Sequence, residues 1–563
     1  MPIIDVNLND LRALLGKDVT YEELRERLPM MGTSWEGETE EGFLLEVFPN
    51  RPDLLSIEGL ARAYAAFTGL RPGLRPYTVR ASDYLVNVDR AVEGVRPYFV
   101  SAVIKQIAFD DALIRSIIQL QEKLHVTHGR KRRKVAIGLH NLEPIQFPVV
   151  YTTQPATFRF QPLDEPHEMS ITQILTALPK GKEYAWIVEG FPAYPMLQDA
   201  KGMVLSMPPI INSEHTRIDE ATTNIFVDIT GTDLKAITET LHIIATTFAD
   251  RGGEIYAVTN QYPTTTLRTP DLTPRTMQLE NQYLNTLLGM TFTPKETAGY
   301  LEHMGYDATY IDQTLTVRVP SYRTDIMHPI DLVEDVAIAY GYDRFVPEIP
   351  AEASVAGEDP LEVFSRGLRN FLVGFGFLEV MTFMMSNREK LFHRMRLAEE
   401  PIAETENPKI EDYTVLRNRL LPSLIEVLSV NKHHPYPQNL YEVGDVVRLD
   451  PTTETGARSS RRLAIVLCHA KANFSEIKGV LESILQNLEQ PYDVQEGGLS
   501  CFIEGRRFMA TVNQAPLCWA GEIRPDVLDA WAIEMPMAAL ELDVDRLFHL
   551  VTNRDRPNTD LAR

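Results

Sequence analysis

Between residues 314 and 345 the hydrophobic period of the chain switches once, from two to about 3.6 residues, and the switch marks a strand followed by a helix. Leu315, Val317 and Val319 alternate with Thr314, Thr316 and Arg318 as in a half-buried strand, and Pro320 closes the run. After a turn, Pro329 suits the first helical position. Val333, Val336, Ala337 and Tyr340 then recur on one face until Gly341 offers a left-handed stop. The opposite face of that helix carries Asp331, Glu334 and Asp335. The same rules predict a helix after Ser56, a capping residue, with Ile57, Leu60, Ala61, Tyr64 and Phe67 on one side and Gly69 beyond. They predict another opening at Thr293, with Pro294 at its first position and Glu296 at capping-box spacing. In NIFVDIT the period is two. Ile225, Val227 and Ile229 form one strand face and leave Phe226, Asp228 and Thr230 on the other, while Ser206 is set apart from Leu205 and Met207 in VLSMP.

These elements divide the chain into four segments, the number its 563 residues suggest. Residues 1–85 hold the Ser56 helix. Residues 86–272 alternate strand-like and helical runs and predict an α/β domain. Residues 273–350 predict a compact helix-turn-helix-like domain carrying the acidic helix. Residues 351–563 predict an antiparallel sheet flanked by helices, so the whole is an α+β multidomain chain. The hydrophobic share of 44% and charged share of 24% are those of soluble globular protein. The first residues lack the basic start and apolar run of a signal peptide, and no run is long enough to span a bilayer, so a cytoplasmic location without membrane contact is expected. Cys468, Cys501 and Cys518 form no CxxC pair and are read as core thiols.

Charge narrows the chemistry. A formal net charge of −23 excludes a nucleic-acid grip over the whole surface. The local exception is Arg130, Lys131, Arg132, Arg133 and Lys134, which read either as a phosphate-contacting hairpin or as a solvated turn. Asp325, Asp331, Glu334 and Asp335 crowd four carboxylates around one helix start. Like charges at i, i+3 and i+4 repel, so the cluster is either a solvated acidic face or the seat of a hard cation such as Mg²⁺. Its sign argues against DNA recognition by the helix-turn-helix-like domain and for a protein interface. The polar strand face of Asp228 and Thr230, with Ser206, reads either as a pocket wall or as an exposed sheet face.

The stretch VPSYRTDIMHPIDLVEDVAIAYGYDRF resembles, almost residue for residue, the metal-binding domain of phenylalanine-tRNA ligase beta subunits of the archaeal and eukaryotic type. The string NRPD-x-x-S-x-E-G-x-A-R is similar to the N-terminal domain of that family, and MVLSMPPIINSEHTRIDEATTNIFVDITGTD to its editing domain. FLVGFGFLEVMTFMMS, LRNRLLPSLIEVLSVN, LYEVGDVVRLD, FSEIKGVLESIL and GEIRPDVLDAWAIEMPMAALELDVDRL resemble, in order, its synthetase-like module. Glu522 to Pro525 read EIRP where the family usually has histidine before the proline.

The resemblance implies an α2β2 enzyme that uses ATP to join phenylalanine to its tRNA, with ATP and phenylalanine held by the alpha subunit. It implies Mg²⁺ on Asp325, Asp331, Glu334 and Asp335 at the alpha contact. It also implies an editing pocket at Leu197, Ser206, Asp228 and Thr230, with Asp228 or Ser206 touching the phenol of a mischarged tyrosine. The logic of such a pocket is physical: a hydrophobic site for phenylalanine rejects an added hydroxyl by only about 10²-fold, so a second site must remove the errors. With no Ser-His-Asp pattern evident, a positioned water is expected instead of a covalent intermediate. The chain shows neither the arginine patterns of a class II catalytic site nor a P-loop, and His167-Glu168 does not extend to HExxH, so the synthetase-like module is expected to be catalytically silent. The anticodon-binding domain and the oligonucleotide-binding insertion of bacterial relatives are expected to be missing. Two rivals remain: a non-editing, tRNA-binding scaffold and a metal-dependent hydrolase using the acidic cluster.

Overall fold

The fold is seen in a computed structural model that describes residues 2–352 and 355–552. It is a mixed α/β fold in two compact units, Met1–Ile349 and Pro350–Arg563.

In the first unit, strands Ile3–Asn7, Gly42–Val47 and Thr33–Glu38 form a three-stranded antiparallel sheet beside helix Ile57–Phe67. Ser56 caps that helix, its hydroxyl accepting the Gly59 N–H at 3.0 Å, and Gly69 follows in the left-handed region at φ +74°. An eleven-stranded sheet runs through the middle of the unit. Strand Ile225–Gly231 lies in it between Tyr98–Lys105 and Val135–Asn141, antiparallel to both and buried at every residue. Ile225, Val227 and Ile229 pack into the core shared with helices Asp111–Val126 and Leu234–Asp250, whereas Phe226 joins a separate cluster with Phe99, Tyr151, Leu197 and Leu205. The period-two alternation is thus the partition between two cores.

The acidic region forms its own small core. Strands Arg275–Glu280, Thr314–Val319 and Asp307–Ile311 make a three-stranded sheet against helices Asn281–Leu288, Pro294–His303 and Pro329–Tyr340. Thr293 and Glu296 form the capping box expected from their spacing.

In the second unit, seven strands form one sheet, antiparallel except where Leu378–Glu379 pairs with Gln438–Leu449. One apolar cluster holds side chains of helices Pro360–Gly374, Phe474–Asn487 and Val544–Thr552, and another those of Leu421–Val430 and Pro525–Ala530. All three cysteines are free and buried, and burial pushes the Cys468 and Cys501 thiols up to about 11 and about 12. Among the described residues no helix is long and apolar enough to cross a membrane.

Candidate functional site

Asp228 sits in the middle of its strand, opposite Gly138 on the neighbouring one. A Cβ at Gly138 would lie 1.9 Å from Asp228 Oδ1, so only glycine lets the carboxylate lie across that strand. There Asp228 Oδ1 is 2.7 Å from His140 Nε2, and His140 Nδ1 is 2.8 Å from the Thr216 hydroxyl. The imidazole is fully buried. The two contacts occupy both ring nitrogens.

A cavity of about 200 Å³ opens beside this pair, with Ser206, Asp228, Gly138, Asn212 and the Pro208-Pro209 turn in its lining. Ser206 Oγ is buried and has no hydrogen-bond partner among the described residues. The opposite wall comes from helix Asp111–Val126, through Glu122 and His125, and from Arg132. His125 Nε2 accepts the Ile137 N–H at 2.8 Å, and burial pulls its pKa down to about 4, so the ring is neutral at pH 7. Glu122 is held down to about 2 by His125 beside it and by Arg132, whose Nη2 donates to Glu122 Oε1 at 2.8 Å. Ionised, it offsets the charge of Arg132 on the cavity wall.

Ser206 and Asp228, expected together, therefore meet in one cavity. Thr230 and Leu197 stand outside its lining. Thr230 anchors the buried Arg96, accepting from Nε at 2.9 Å through its hydroxyl and from Nη2 at 2.7 Å through its carbonyl. Burial lowers the Arg96 guanidinium to about 10, still charged at pH 7. Leu197 pairs with Ser206 across adjacent strands, but its side chain belongs to the apolar cluster of Phe99 and Phe226. Sequence reasoning missed His140, Glu122, His125 and Gly138. The signal for His140 was a polar residue two positions from a glycine in the apolar strand Val135–Asn141.

The basic run is split by its backbone. Arg130, Lys131 and Arg132 are consecutive left-handed residues at φ 49°, 54° and 64°. The turn sends Arg132 inward, where Nη1 donates to the Ile210 carbonyl at 3.0 Å and the guanidinium stacks 4.5 Å over Tyr184. Arg130, Lys131 and Arg133 stay exposed, and Lys134 pairs with Asp233 at 3.2 Å. Of the five cations read as a phosphate-contacting hairpin or a solvated turn, three are therefore free at the surface.

At the acidic helix a positive charge from the chain itself lies among the carboxylates, and it is Arg323. Its Nε and Nη2 bond both oxygens of Asp325 at 2.9 and 2.7 Å, and Nη2 also reaches Asp335 at 2.7 Å. Tyr306 donates a further hydrogen bond to Asp335. Burial raises the Asp325 pKa, but Arg323 more than offsets it and the carboxyl is held below its ordinary value. Asp331 is occupied differently, accepting the Met327 and His328 N–H groups at 2.7 Å each as the helix cap. Of the four only Glu334 is exposed, so the idea of one acidic face fails: Asp335 is buried on the core side. Among the described residues no three His, Cys, Asp or Glu side chains gather to hold a metal ion. As arranged, these four carboxylates do not fit a magnesium cage, because the inner two already share one guanidinium.

Comparison with known proteins bears on the whole chain. The family model of the phenylalanyl tRNA synthetase beta chain CLM domain matches residues 346–544, and that of the tRNA synthetase B5 domain matches residues 277–342. An N-terminal fragment of the phenylalanyl-tRNA synthetase beta subunit from Pyrococcus horikoshii superposes with a TM-score of 0.59 at 37% identity, covering 60% of this chain and 99% of the fragment. The phenylalanine-tRNA ligase beta subunit of Thermococcus sibiricus is 41% identical over 96% of this chain and 98% of its own length. That of Archaeoglobus fulgidus is 39% identical over 97% of this chain and 99% of its own length. On this near full-length similarity, the chain belongs to the phenylalanine-tRNA ligase beta subunit family.

Proposed function

We propose that this chain works with an alpha subunit in attaching phenylalanine to its tRNA, and that the cavity at Ser206 and Asp228 hydrolyses tyrosine wrongly esterified to that tRNA. The observation that carries the editing reading is a buried hydroxyl without a partner facing a cavity that also holds a carboxylate, the pair needed to bind a phenol. Ser206 donates to the phenolic oxygen and Asp228 accepts its proton, so phenylalanine, which lacks the hydroxyl, leaves the buried Ser206 hydroxyl unmet and is released. The cavity has room for about one aromatic amino acid.

Three members of a hydrolytic triad lie near one another here, yet they do not form one. Both nitrogens of His140 are occupied, by Asp228 and Thr216, and none is left to take a proton from Ser206. The geometry therefore favours attack by a bound water over an acyl-enzyme. The exposed Arg130, Lys131 and Arg133 continue the turn whose Arg132 lines the cavity, a position suited to the phosphates of an incoming tRNA end.

The alpha subunit contact is best supported at the start of helix Pro329–Tyr340, where Met327 and Ile330 are exposed beside Asp331 and Glu334. An α2β2 assembly, with ATP bound by the alpha subunit, accords with this. For magnesium, the geometry supports only a site completed by another chain. The test of the proposal is hydrolysis of tyrosyl-tRNA by the assembled enzyme carrying Ser206→Ala. Removing one positioned hydrogen-bond donor is expected to slow it about 100-fold while phenylalanine attachment continues. Unchanged hydrolysis would leave a non-editing scaffold.

A further inference from the structure

We propose that the first unit holds a second ligand site, an arginine-lined cavity that binds a small phosphate-class oxyanion. The cavity, of about 340 Å³, lies between helix Ile57–Phe67, the loop from Arg71 to Pro76 and the turn at Tyr322 and Arg323. Arg51, Arg62, Arg71, Arg75 and Arg323 line it, and Asp53 is the one acid among its lining residues. It shares no lining residue with the cavity at Ser206 and Asp228.

Two of these guanidiniums are buried and incompletely satisfied. Arg62, 8% exposed, donates through Nη1 to Tyr77 at 2.9 Å and to Asp250 at 2.7 Å and stacks 3.9 Å over the Tyr322 ring, while its Nη2 has no partner among the described residues. Arg323, 2% exposed, spends Nε and Nη2 on Asp325 and Asp335, and its Nη1 is likewise without a partner. A buried, charged N–H without an acceptor is rare and calls for a ligand. Arg51 donates through Nε and Nη2 to Asp53, and Arg75 Nε lies 3.1 Å from Asp250. The carboxylates paired with this group are Asp53, Asp250, Asp325 and Asp335, four against five guanidiniums, so the cluster keeps a positive charge. Arg51 and Arg323 are close enough to repel each other, which an anion between the arginines would relieve.

Guanidiniums reaching the cavity from the helix, the loop and the turn suit a tetrahedral oxyanion, which accepts hydrogen bonds on every side, better than a planar carboxylate. The cavity is too small for a nucleic-acid strand and of a size for a phosphate with a short organic group.

The experiment is calorimetric titration of the full chain with inorganic phosphate at pH 7.5, with potassium acetate and potassium chloride at matched ionic strength. Saturable binding of one phosphate per chain is expected, weakened at least tenfold by Arg75→Gln and by Arg71→Gln at the rim, and by Arg62→Gln inside. Arg62 also holds Asp250, so the two rim variants decide the matter if the inner one fails to fold. Heats equal to those of chloride, acetate binding as tight as phosphate, or full affinity in both rim variants would overturn the proposal.

Discussion

Gly138 is the residue whose replacement probes the candidate site most cleanly. A methyl group there would strike Asp228 Oδ1 at 1.9 Å and His140 Nε2 at 2.9 Å. Gly138→Ala is therefore expected to cost about 1–3 kcal/mol of stability, as overpacking does, and to abolish editing by displacing the carboxylate. Thermal unfolding and a tyrosyl-tRNA hydrolysis assay check the two effects separately. His125 gives a pH signature. Its folded pKa of about 4 lies below the unfolded value near 6.5, so between those values the unfolded chain binds the extra proton. The sign follows: stability is unaffected above pH 6.5, falls as pH drops through the window, and flattens below about 4. The full loss is about 3 kcal/mol, and His125→Gln, which can still accept the Ile137 N–H, should flatten urea midpoints measured from pH 7 to pH 4. A variant with the same slope as the wild type would refute this.

Among the elements, the acidic helix shows how a guanidinium offsets clustered carboxylates. Arg323 is the only guanidinium bonded to Asp325 and Asp335 among the described residues, so Arg323→Gln leaves the buried Asp335 and the half-buried Asp325 short of a counter-charge and is expected to cost about 3–5 kcal/mol. Denaturant titration measures it, and a loss below about 1 kcal/mol would mean that water or an ion already shares the role. For the same reason the chain without its alpha subunit is expected to retain no magnesium after gel filtration. Metal analysis showing one Mg²⁺ per chain, removed by Asp331→Ala with Glu334→Ala, would contradict that.

Local signals were enough to read the Ser56 and Thr293 caps, the strand ending at Val319 and the two-faced strand of Asp228, because each depends on neighbours within four residues. Arg323 was equally near in sequence. The carboxylates were nevertheless read as awaiting an external cation, since periodicity says which face a residue takes but not which side chain reaches across a turn. His140 meets Asp228 over 88 residues, and Glu122 meets Arg132 only because the turn runs left-handed. Strand register and backbone hand of that kind have no short-range sequence signature.

At the scale of the molecule, the net charge of −23 opposes nucleic acid everywhere except at local cationic sites, so tRNA binding should rest on few contacts and depend strongly on salt. Replacing Arg130, Lys131 and Arg133 by alanine is expected to lower the slope of log affinity against log salt by roughly 2, the release expected for three single-strand phosphate contacts. An unchanged slope would make the turn a solvated surface. The central claim is that one cavity of this chain proofreads, and the most direct measurement is the rate at which the assembled enzyme deacylates tyrosyl-tRNA specific for phenylalanine, wild type against Asp228→Ala. The account predicts hydrolysis by the wild type, loss of at least about 100-fold in the variant, and phenylalanine attachment kept by both. Equal hydrolysis by the two enzymes, or none by either, would contradict it.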